Sequence, residues 1–137
     1  MNINGINHIT FSVSNLERSF KFYQDILGLT PKLKWDKGAY FLTGKLWLCL
    51  SLDDKTRVKA LEEYSHIAFD VSKENFLDIS NHIINSKVEI FKQNESEGDS
   101  LYFLDPDGHK LEIHCGTLDD RINSYKKLNE TNYEFFD

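Results

Sequence analysis

Two stretches of the chain repeat one pattern, and this repeat limits the possible folds more than any other feature. The segment that begins NHITFSV at Asn7 aligns without a gap with the one that begins SHIAFDV at Ser65, over about twenty residues. His8 and His66 therefore hold equivalent positions, 58 residues apart. Each copy reads as a strand with alternating apolar residues, followed by an amphipathic helix. The chain is expected to contain one structural unit twice.

The signals around each helix define the unit further. The sequence Ser14 to Glu17 is typical of a capping box with Ser14 as the N-cap, and Gly28 fits the residue that ends the helix. In the second copy, Ser72 precedes the helical stripe. Three strand-like segments follow each helix, so the pattern predicts two βαβββ modules. A helix covers only one face of each sheet, and curling the sheets around a shared cavity would shield the other.

The predicted fold is thus α+β, with a curled mixed sheet around a cavity and one domain over residues 1–137. Module one is expected at about 4–52 and module two at about 63–122, with a C-terminal tail at 123–137.

Composition limits the classes of binding partner and the cellular compartment that are expected for this chain. The net charge of −6, without a basic run, argues against nucleic acid, and no apolar run is long enough to cross a membrane. The N-terminus does not read as a signal peptide. The two cysteines lack CxxC spacing, which suits small core thiols in a reducing cytoplasm. We expect a cytoplasmic protein with neither a nucleic-acid nor a membrane partner.

The inward faces of the strands carry polar groups. Alternation places His8 and Thr10 on the face opposite the helix, His66 at the equivalent place, and Glu112 inward on the last strand. Two imidazoles and a carboxylate that converge in a cavity predict a three-ligand metal site with open positions for water or substrate. The alternative for each histidine is an ordinary hydrogen-bonded core residue.

The position in module one that corresponds to Glu112, and the three other histidines, are not expected to bind metal. Aligning the two modules puts an apolar residue, Leu48 or its neighbour Trp47, where Glu112 lies in module two. His114 shares the face of Glu112 but is expected outside the ligand set. His109 in the turn and His82 on a helix are expected to be solvated.

A second polar cluster lies in the segment KQNESEGDS, residues 92–100. Small oxygen-bearing residues and a glycine alternate there, namely Asn94, Ser96, Gly98 and Ser100. Such a loop can hold a monovalent cation or an anionic substrate, and Lys92 and Arg121 are the nearest cations. The alternative is an ordinary hydrophilic hairpin loop.

Several motifs together resemble a known family. NHIT, WDKGAY, LWLCLSLD, SHIAF and KQNESEGDSLYFLDPDGHKLEIH closely resemble the fosfomycin-resistance thiol transferases of the vicinal oxygen chelate superfamily. The resemblance runs from about Gly5 to Asp137, and it is most specific between Lys92 and Glu112.

The resemblance implies a function and a set of ligands. It implies Mn²⁺, or another divalent metal such as Zn²⁺, held by His8, His66 and Glu112 in a domain-exchanged homodimer, with the first histidine from one subunit and the other two ligands from its partner. It implies K⁺ in the loop, bound at Asn94, Ser96, Gly98 and Ser100. The phosphonate of fosfomycin would be held by Thr10, Lys92, Ser96, Ser100, Tyr102 and Arg121.

The resemblance also implies a thiol site. Glutathione would lie near Tyr40, Trp47 and Tyr64, and Tyr40 would assist ionisation of its thiol. The catalytic residues implied are Thr10, Tyr40, Lys92, Tyr102 and Arg121.

Two positions favour the glutathione-using type over its relatives. Relatives that use bacillithiol carry Cys where this chain has Thr10, and hydrolytic relatives carry Glu where it has Gly38. Glu95 is a mismatch, since the glutathione-using relatives have a basic residue there, beside the K⁺ loop. The difference bears on the affinity for K⁺ and for the carboxylates of glutathione. An epoxide hydrolase, a bacillithiol transferase, an extradiol dioxygenase and a metal-free drug-binding protein remain alternatives.

Overall fold

The computed structural model describes residues 1–137 and confirms two βαβββ modules. Module one contains β1 (His8–Val13), α1 (Leu16–Lys21), a π-helical segment (Phe22–Ile26), β2 (Thr30–Trp35), β3 (Gly38–Thr43) and β4 (Leu46–Leu52). Module two contains β5 (Ile67–Asp70), α2 (Lys73–Asn85), β6 (Ile90–Lys92), β7 (Asp99–Leu104) and β8 (Lys110–Cys115). A further helix, α3 (Leu118–Lys127), follows.

Each module forms one mixed four-stranded sheet. The strand orders are β1-β4-β3-β2 and β5-β8-β7-β6, and the two orders are equivalent. In both sheets the first strand runs parallel to the last, and the other neighbours are antiparallel. Consequently β1 and β5, which lead to the candidate site, are edge strands that each leave one backbone edge unpaired.

The helix-facing sides of both sheets form one hydrophobic core. Phe41, Leu48 and Leu50 of module one and Phe103 and Leu111 of module two are fully buried. These side chains belong to a single cluster of 13 residues that spans the two modules. Burial of one such side chain stabilises the fold by about 1.5–3 kcal/mol. The helix side of each sheet is therefore closed within one chain, which leaves the opposite faces for the site.

The start of α1 differs from the prediction by one residue. Asn15 is the N-cap, and its side chain accepts a hydrogen bond from the Arg18 backbone N–H at 3.0 Å. The capping box at Ser14 was therefore wrong, because the Ser14 hydroxyl donates to Asp107 of module two instead. Ser72 is the N-cap of α2 but makes no side-chain capping bond.

The π-helical segment gives α1 a wide last turn. The Leu27 N–H donates to the Phe22 carbonyl five residues earlier, at 3.1 Å. Phe22 and Tyr23, although adjacent, are both buried. Gly28 follows with a φ of +70°, as expected for the residue that ends a helix.

The turn from Asp105 to His109 in module two makes hydrogen bonds to module one. The Asp105 carboxylate accepts from the Tyr23 hydroxyl at 2.7 Å and from the N–H groups of Asp107 and His109 at 2.9 Å each. Burial raises the pKa of Asp105 above its usual range, and burial also raises the pKa of Tyr23 well above 10. The buried carboxylate and the buried hydroxyl thus satisfy each other across the module boundary.

His109 and Asp107 complete this contact. His109 is only 6% exposed, its Nε2 lies 2.7 Å from the Ser12 carbonyl, and its ring packs on Phe11. The expectation that His109 is solvated was wrong, because the turn is covered by the end of β1. Asp107 accepts from Arg18 at 2.9 Å. His82 is exposed, and its Nε2 lies 3.0 Å from the Asp25 carbonyl.

Replacing Tyr23 by Phe should lower the free energy of unfolding by about 1–3 kcal/mol, because a buried carboxylate loses a donor. Since folding holds the Tyr23 proton, wild-type stability should fall as the pH rises above about 10, and Tyr23→Phe should weaken that fall. Denaturant unfolding at neutral and alkaline pH measures both effects. An unchanged neutral stability would show that this hydrogen bond does not hold the modules together.

No helix has the length and apolar character needed to cross a bilayer.

Candidate metal centre

The closest pairing among the predicted metal ligands is in module two. His66 directly precedes β5, and its Nε2 lies 2.9 Å from Oε1 of Glu112. Glu112 lies on β8, in register with Ala68 of β5, and is only 5% exposed. The residues on either side, Leu111 and Ile113, are buried on the helix side. Alternation along β8 therefore directs a carboxylate to the opposite face, as the sequence predicted.

The second oxygen of Glu112 is also held. The Ser100 hydroxyl on β7 donates to Oε2 at 2.6 Å, and Nδ1 of His114 lies 2.7 Å from the same hydroxyl. A buried carboxylate with partners on both oxygens is fixed in orientation. Glu112 is thus presented as a rigid group beside His66.

Lys92 borders this pair. Its Nζ donates to the Tyr64 hydroxyl at 3.1 Å and lies 4.3 Å and 4.8 Å from the ring centroids of Tyr64 and Tyr102. The hydrogen bond to Tyr64 raises the pKa of Lys92. The Tyr64 ring in turn stacks on His66 at 4.8 Å. A cation that stays charged therefore lies beside His66 and Glu112, where an anion could bind.

The predicted cation loop is closed by its own hydrogen bonds. The Asn94 side chain donates to the Gly98 carbonyl at 2.8 Å and accepts from the N–H and hydroxyl of Ser96. Arg121 on α3 donates to the Glu97 carbonyl at 3.2 Å and contacts Ser96 at 3.5 Å. Loop and guanidinium are thus brought together as the sequence predicted.

The face of module one carries a row of rings that crosses all four strands. Ring centroids lie 4.4 Å apart for His8 and Trp47, 4.9 Å for Trp47 and Tyr40, and 5.0 Å for Tyr40 and Trp35. The Trp47 Nε1–H is buried without a hydrogen-bond partner. Trp35 was not identified from the sequence, although its position five residues before Tyr40 in an apolar-polar alternation was a usable signal.

The absence of a side chain at Gly38 leaves room for the Trp35 ring. A Cβ atom at residue 38 would lie 2.6 Å from the Leu50 carbonyl and 2.7 Å from the Trp35 ring. Real Cβ atoms do not approach other atoms this closely. Only glycine fits at this position while the Trp35 ring stays where it is.

Cys49, rather than Leu48 or Trp47, is the counterpart of Glu112. Cys49 pairs in register with Thr10 and Tyr40, as Glu112 pairs with Ala68 and Tyr102. The predicted apolar counterpart was wrong because Leu48 is fully buried on the helix side. Cys49 and Cys115 are both half-buried rather than core thiols. The prediction aligned Gly44 with Gly108, the glycines of the two turns, and that alignment could not reveal the strand register.

His8 lies apart from His66 and Glu112 within one chain. It is exposed, its Nδ1 lies 2.8 Å from the Asn7 side-chain oxygen, and its ring packs on Trp47. The three predicted ligands do not form a group with all ligand atoms within 4.8 Å. One chain therefore brings two of the three predicted ligands together.

One other group could hold a metal by distance alone. Ligand atoms of Asp105, Asp107 and His109 lie within 4.8 Å of one another. Tyr23, Arg18 and backbone N–H groups already donate to these carboxylates, and the His109 Nε2 faces the Ser12 carbonyl. This group acts as the link between the modules. The donor set of His66 and Glu112, one imidazole nitrogen and one carboxylate, suits Mn²⁺ or Zn²⁺ beside an accessible face.

Comparisons with known proteins agree with this fold. Residues 5–113 match the model of the Glyoxalase/Bleomycin resistance protein/Dioxygenase superfamily. The chain is 46% identical to "Glutathione transferase FosA" of Serratia marcescens, over 88% of this chain and 86% of that protein. It is 41% identical to "Metallothiol transferase FosB" of Lysinibacillus sphaericus (strain C3-41), over 99% of each.

Solved structures give the same result. The fosfomycin resistance protein FosX from Listeria monocytogenes superposes with a TM-score of 0.79 at 32% identity, covering 88% of this chain and 98% of that one. A mutant of the same FosX, complexed with Mn(II) and 1S,2S-dihydroxypropylphosphonic acid, has a TM-score of 0.76 at 30% identity, covering 89% and 99%. The chain therefore belongs to the Glyoxalase/Bleomycin resistance protein/Dioxygenase superfamily and, within it, to the family of the fosfomycin-resistance enzymes FosA, FosB and FosX.

Proposed function

We propose that this protein is a metal-dependent transferase that adds glutathione to the epoxide of fosfomycin and so inactivates the antibiotic. The observation that carries the proposal is the contact between His66 and the buried Glu112 carboxylate, with Lys92 beside it. A divalent metal and an anionic substrate could bind next to each other there. The similarity to FosA, a glutathione transferase, supports the same reaction.

The proposed metal is Mn²⁺, with Zn²⁺ as another possible occupant, held by His66 and Glu112 of one subunit and by His8 of a second. Bound metal would supply Lewis-acid activation of the epoxide oxygen. The free edges of β1 and β5 and the separation of His8 within one chain support a homodimer with exchanged modules. K⁺ is proposed to bind at Asn94, Ser96, Gly98 and Ser100.

The chain's own residues would bind and orient the substrate. Lys92 and Arg121 would neutralise the phosphonate, which also fixes the direction from which the thiol approaches. The hydroxyl groups proposed to donate to the phosphonate are those of Thr10, Ser96 and Tyr102. Ser100, whose proton is donated to Glu112, would line the same site. Glutathione would lie near Tyr40, Trp47 and Tyr64, with Tyr40 assisting ionisation of the thiol. A carbon–sulfur bond then forms as the epoxide carbon–oxygen bond breaks, and the released oxygen takes up a proton.

Gly38 supports thiol transfer over hydrolysis. A carboxylate that acts as a general base for water would need a side chain at residue 38, and the Leu50 carbonyl and the Trp35 ring leave no room for one. Thr10 instead of Cys supports glutathione over bacillithiol. The same use of glutathione, together with the two free thiols, supports a cytoplasmic location.

Mass spectrometry of fosfomycin incubated with the protein tests the proposal. Reactions would contain Mn²⁺ and K⁺ with glutathione, with bacillithiol or without thiol, and a metal-free reaction serves as the control. We expect a glutathione adduct only when metal and glutathione are both present. A bacillithiol adduct formed faster, or a diol formed without thiol, would replace the proposal with the corresponding alternative. Oxygen-dependent consumption of a catechol, in a parallel reaction that contains catechol instead of fosfomycin, would replace it with a dioxygenase.

A further inference from the structure

We propose that His114 is a positioning residue that fixes Glu112 in its metal-ligating orientation by acting through Ser100. The inference rests on the proposed function, because it takes Glu112 as a metal ligand. It adds a residue to the site that does not itself contact metal or substrate.

Proton counting determines the direction of the hydrogen bonds. A carboxylate only accepts, so the single hydroxyl proton of Ser100 is donated to Glu112 Oε2, at 2.6 Å. The hydroxyl therefore accepts from His114, whose Nδ1 carries the proton at 2.7 Å. The same Nδ1 lies 3.5 Å from Glu112 Oε2, too far for a good hydrogen bond, so the contact between the two residues runs through Ser100. His114 thus selects the rotamer of Ser100, and Ser100 selects the orientation of the carboxylate.

Two glycines hold the His114 ring in place. A Cβ atom at Gly98 would lie 2.8 Å from His114 Cε1, and a Cβ atom at Gly116 would lie 2.8 Å from His114 Nε2. The backbone at both glycines therefore approaches the ring more closely than any other residue type would permit. Their φ angles of +84° and +155° also favour glycine. With 17% of its side chain exposed, His114 is confined between the loop before β7 and the end of β8.

This confinement matters because the Glu112 carboxylate has more than one way to make its hydrogen bonds. Its Oε1 lies 2.9 Å from His66, which is the other metal-ligating group of this chain. Without a donor fixed on Oε2, the carboxylate could turn toward Lys92 or water. Residues that orient metal ligands by hydrogen bonding typically change metal affinity by about 10- to 100-fold when they are mutated.

The test is the affinity of the purified protein for Mn²⁺, measured without substrate in potassium-free buffer from the electron paramagnetic resonance signal of free Mn²⁺. His114→Phe keeps a planar ring but has no donor, and we expect its affinity to fall by about 10- to 100-fold. His114→Asn places an amide N–H near the position of Nδ1 and should keep an affinity close to that of the wild type. Rescue by Asn separates positioning from packing, because Asn fills the space less well than Phe.

Three further variants keep the result interpretable. Ser100→Ala leaves His114 and both glycines unchanged and should weaken Mn²⁺ binding to a similar degree, and the His114→Phe/Ser100→Ala double variant should be no weaker than either single variant. His82→Phe replaces an exposed histidine on α2 and should bind Mn²⁺ as the wild type does.

The outcomes distinguish this inference from the proposed function. If His114→Phe binds Mn²⁺ as tightly as the wild type, the proposed role of His114 is wrong and the proposed function still stands. If the His114 variants do not fold, wild-type affinity in Ser100→Ala leads to the same conclusion. A wild-type protein that binds no divalent metal overturns the proposed metal site itself.

Discussion

Replacing Glu112 by Gln should remove bound metal and lower the rate of fosfomycin modification by more than about 100-fold. That bound is conservative, because changes to groups that only orient metal ligands already cost about 10- to 100-fold. Gln keeps the size of the side chain and can still bond to His66 and Ser100, so the fold should persist. The loss would therefore report the missing charge and the missing ligand oxygen rather than unfolding.

Elemental analysis after gel filtration, together with adduct formation followed by mass spectrometry, checks this result. Glu62→Gln is the matched control, since it removes the same charge from an exposed residue of the linker between the modules. Full metal content and full turnover in Glu112→Gln would refute the assignment of Glu112 as a ligand. Loss of turnover with full metal content would instead give Glu112 a role in the reaction other than metal binding.

Mixing two inactive variants should restore activity if each site is built from two chains. His8→Ala and Glu112→Ala would each be inactive as homodimers, because every site lacks one ligand. In a mixed dimer with exchanged modules, the His8→Ala chain supplies His66 and Glu112, and the other chain supplies His8. One of the two sites is then complete, while the other lacks both ligands.

Co-expression of the two variants with different affinity tags measures this effect. Random pairing makes half of the dimers mixed, so about a quarter of all sites should be active. Mixing His66→Ala with Glu112→Ala is the control, because both changes fall in the same module and no complete site can form. If His8→Ala and Glu112→Ala give no more activity than this control, each site lies within one chain.

The sequence predicted the architecture because the repeat determines it. The equivalence of His8 and His66 leads directly to two equivalent modules with the same strand order. Alternation along β8 was enough to direct Glu112 away from the helix side. These are local patterns, with periods of two residues in strands and between three and four in helices, and local patterns can be read from one chain.

Contacts between the modules could not be predicted in the same way. Ser14 was predicted to be the N-cap because nothing in the local sequence indicates that its hydroxyl donates a hydrogen bond to Asp107, 93 residues later. His109 looked exposed because a turn with proline and glycine is normally solvated, whereas here β1 covers it. The register that places Cys49 opposite Thr10 depends on strand pairing rather than on turn position. Each error is a long-range pairing that outweighed a local preference.

Because of the π-helical turn at Phe22–Ile26, the helix that starts with α1 should tolerate substitutions better than a change in its number of residues. Each residue advances an α-helix by about 100° around its axis, so losing one codon there would turn the preceding and following parts of the helix relative to each other. Phe22 and Tyr23 could then no longer both point inward. Among natural variants of this protein, in-frame deletions should therefore be rarer in this helix than conservative substitutions. Insertions should accumulate instead in the solvent-facing connection between the two modules.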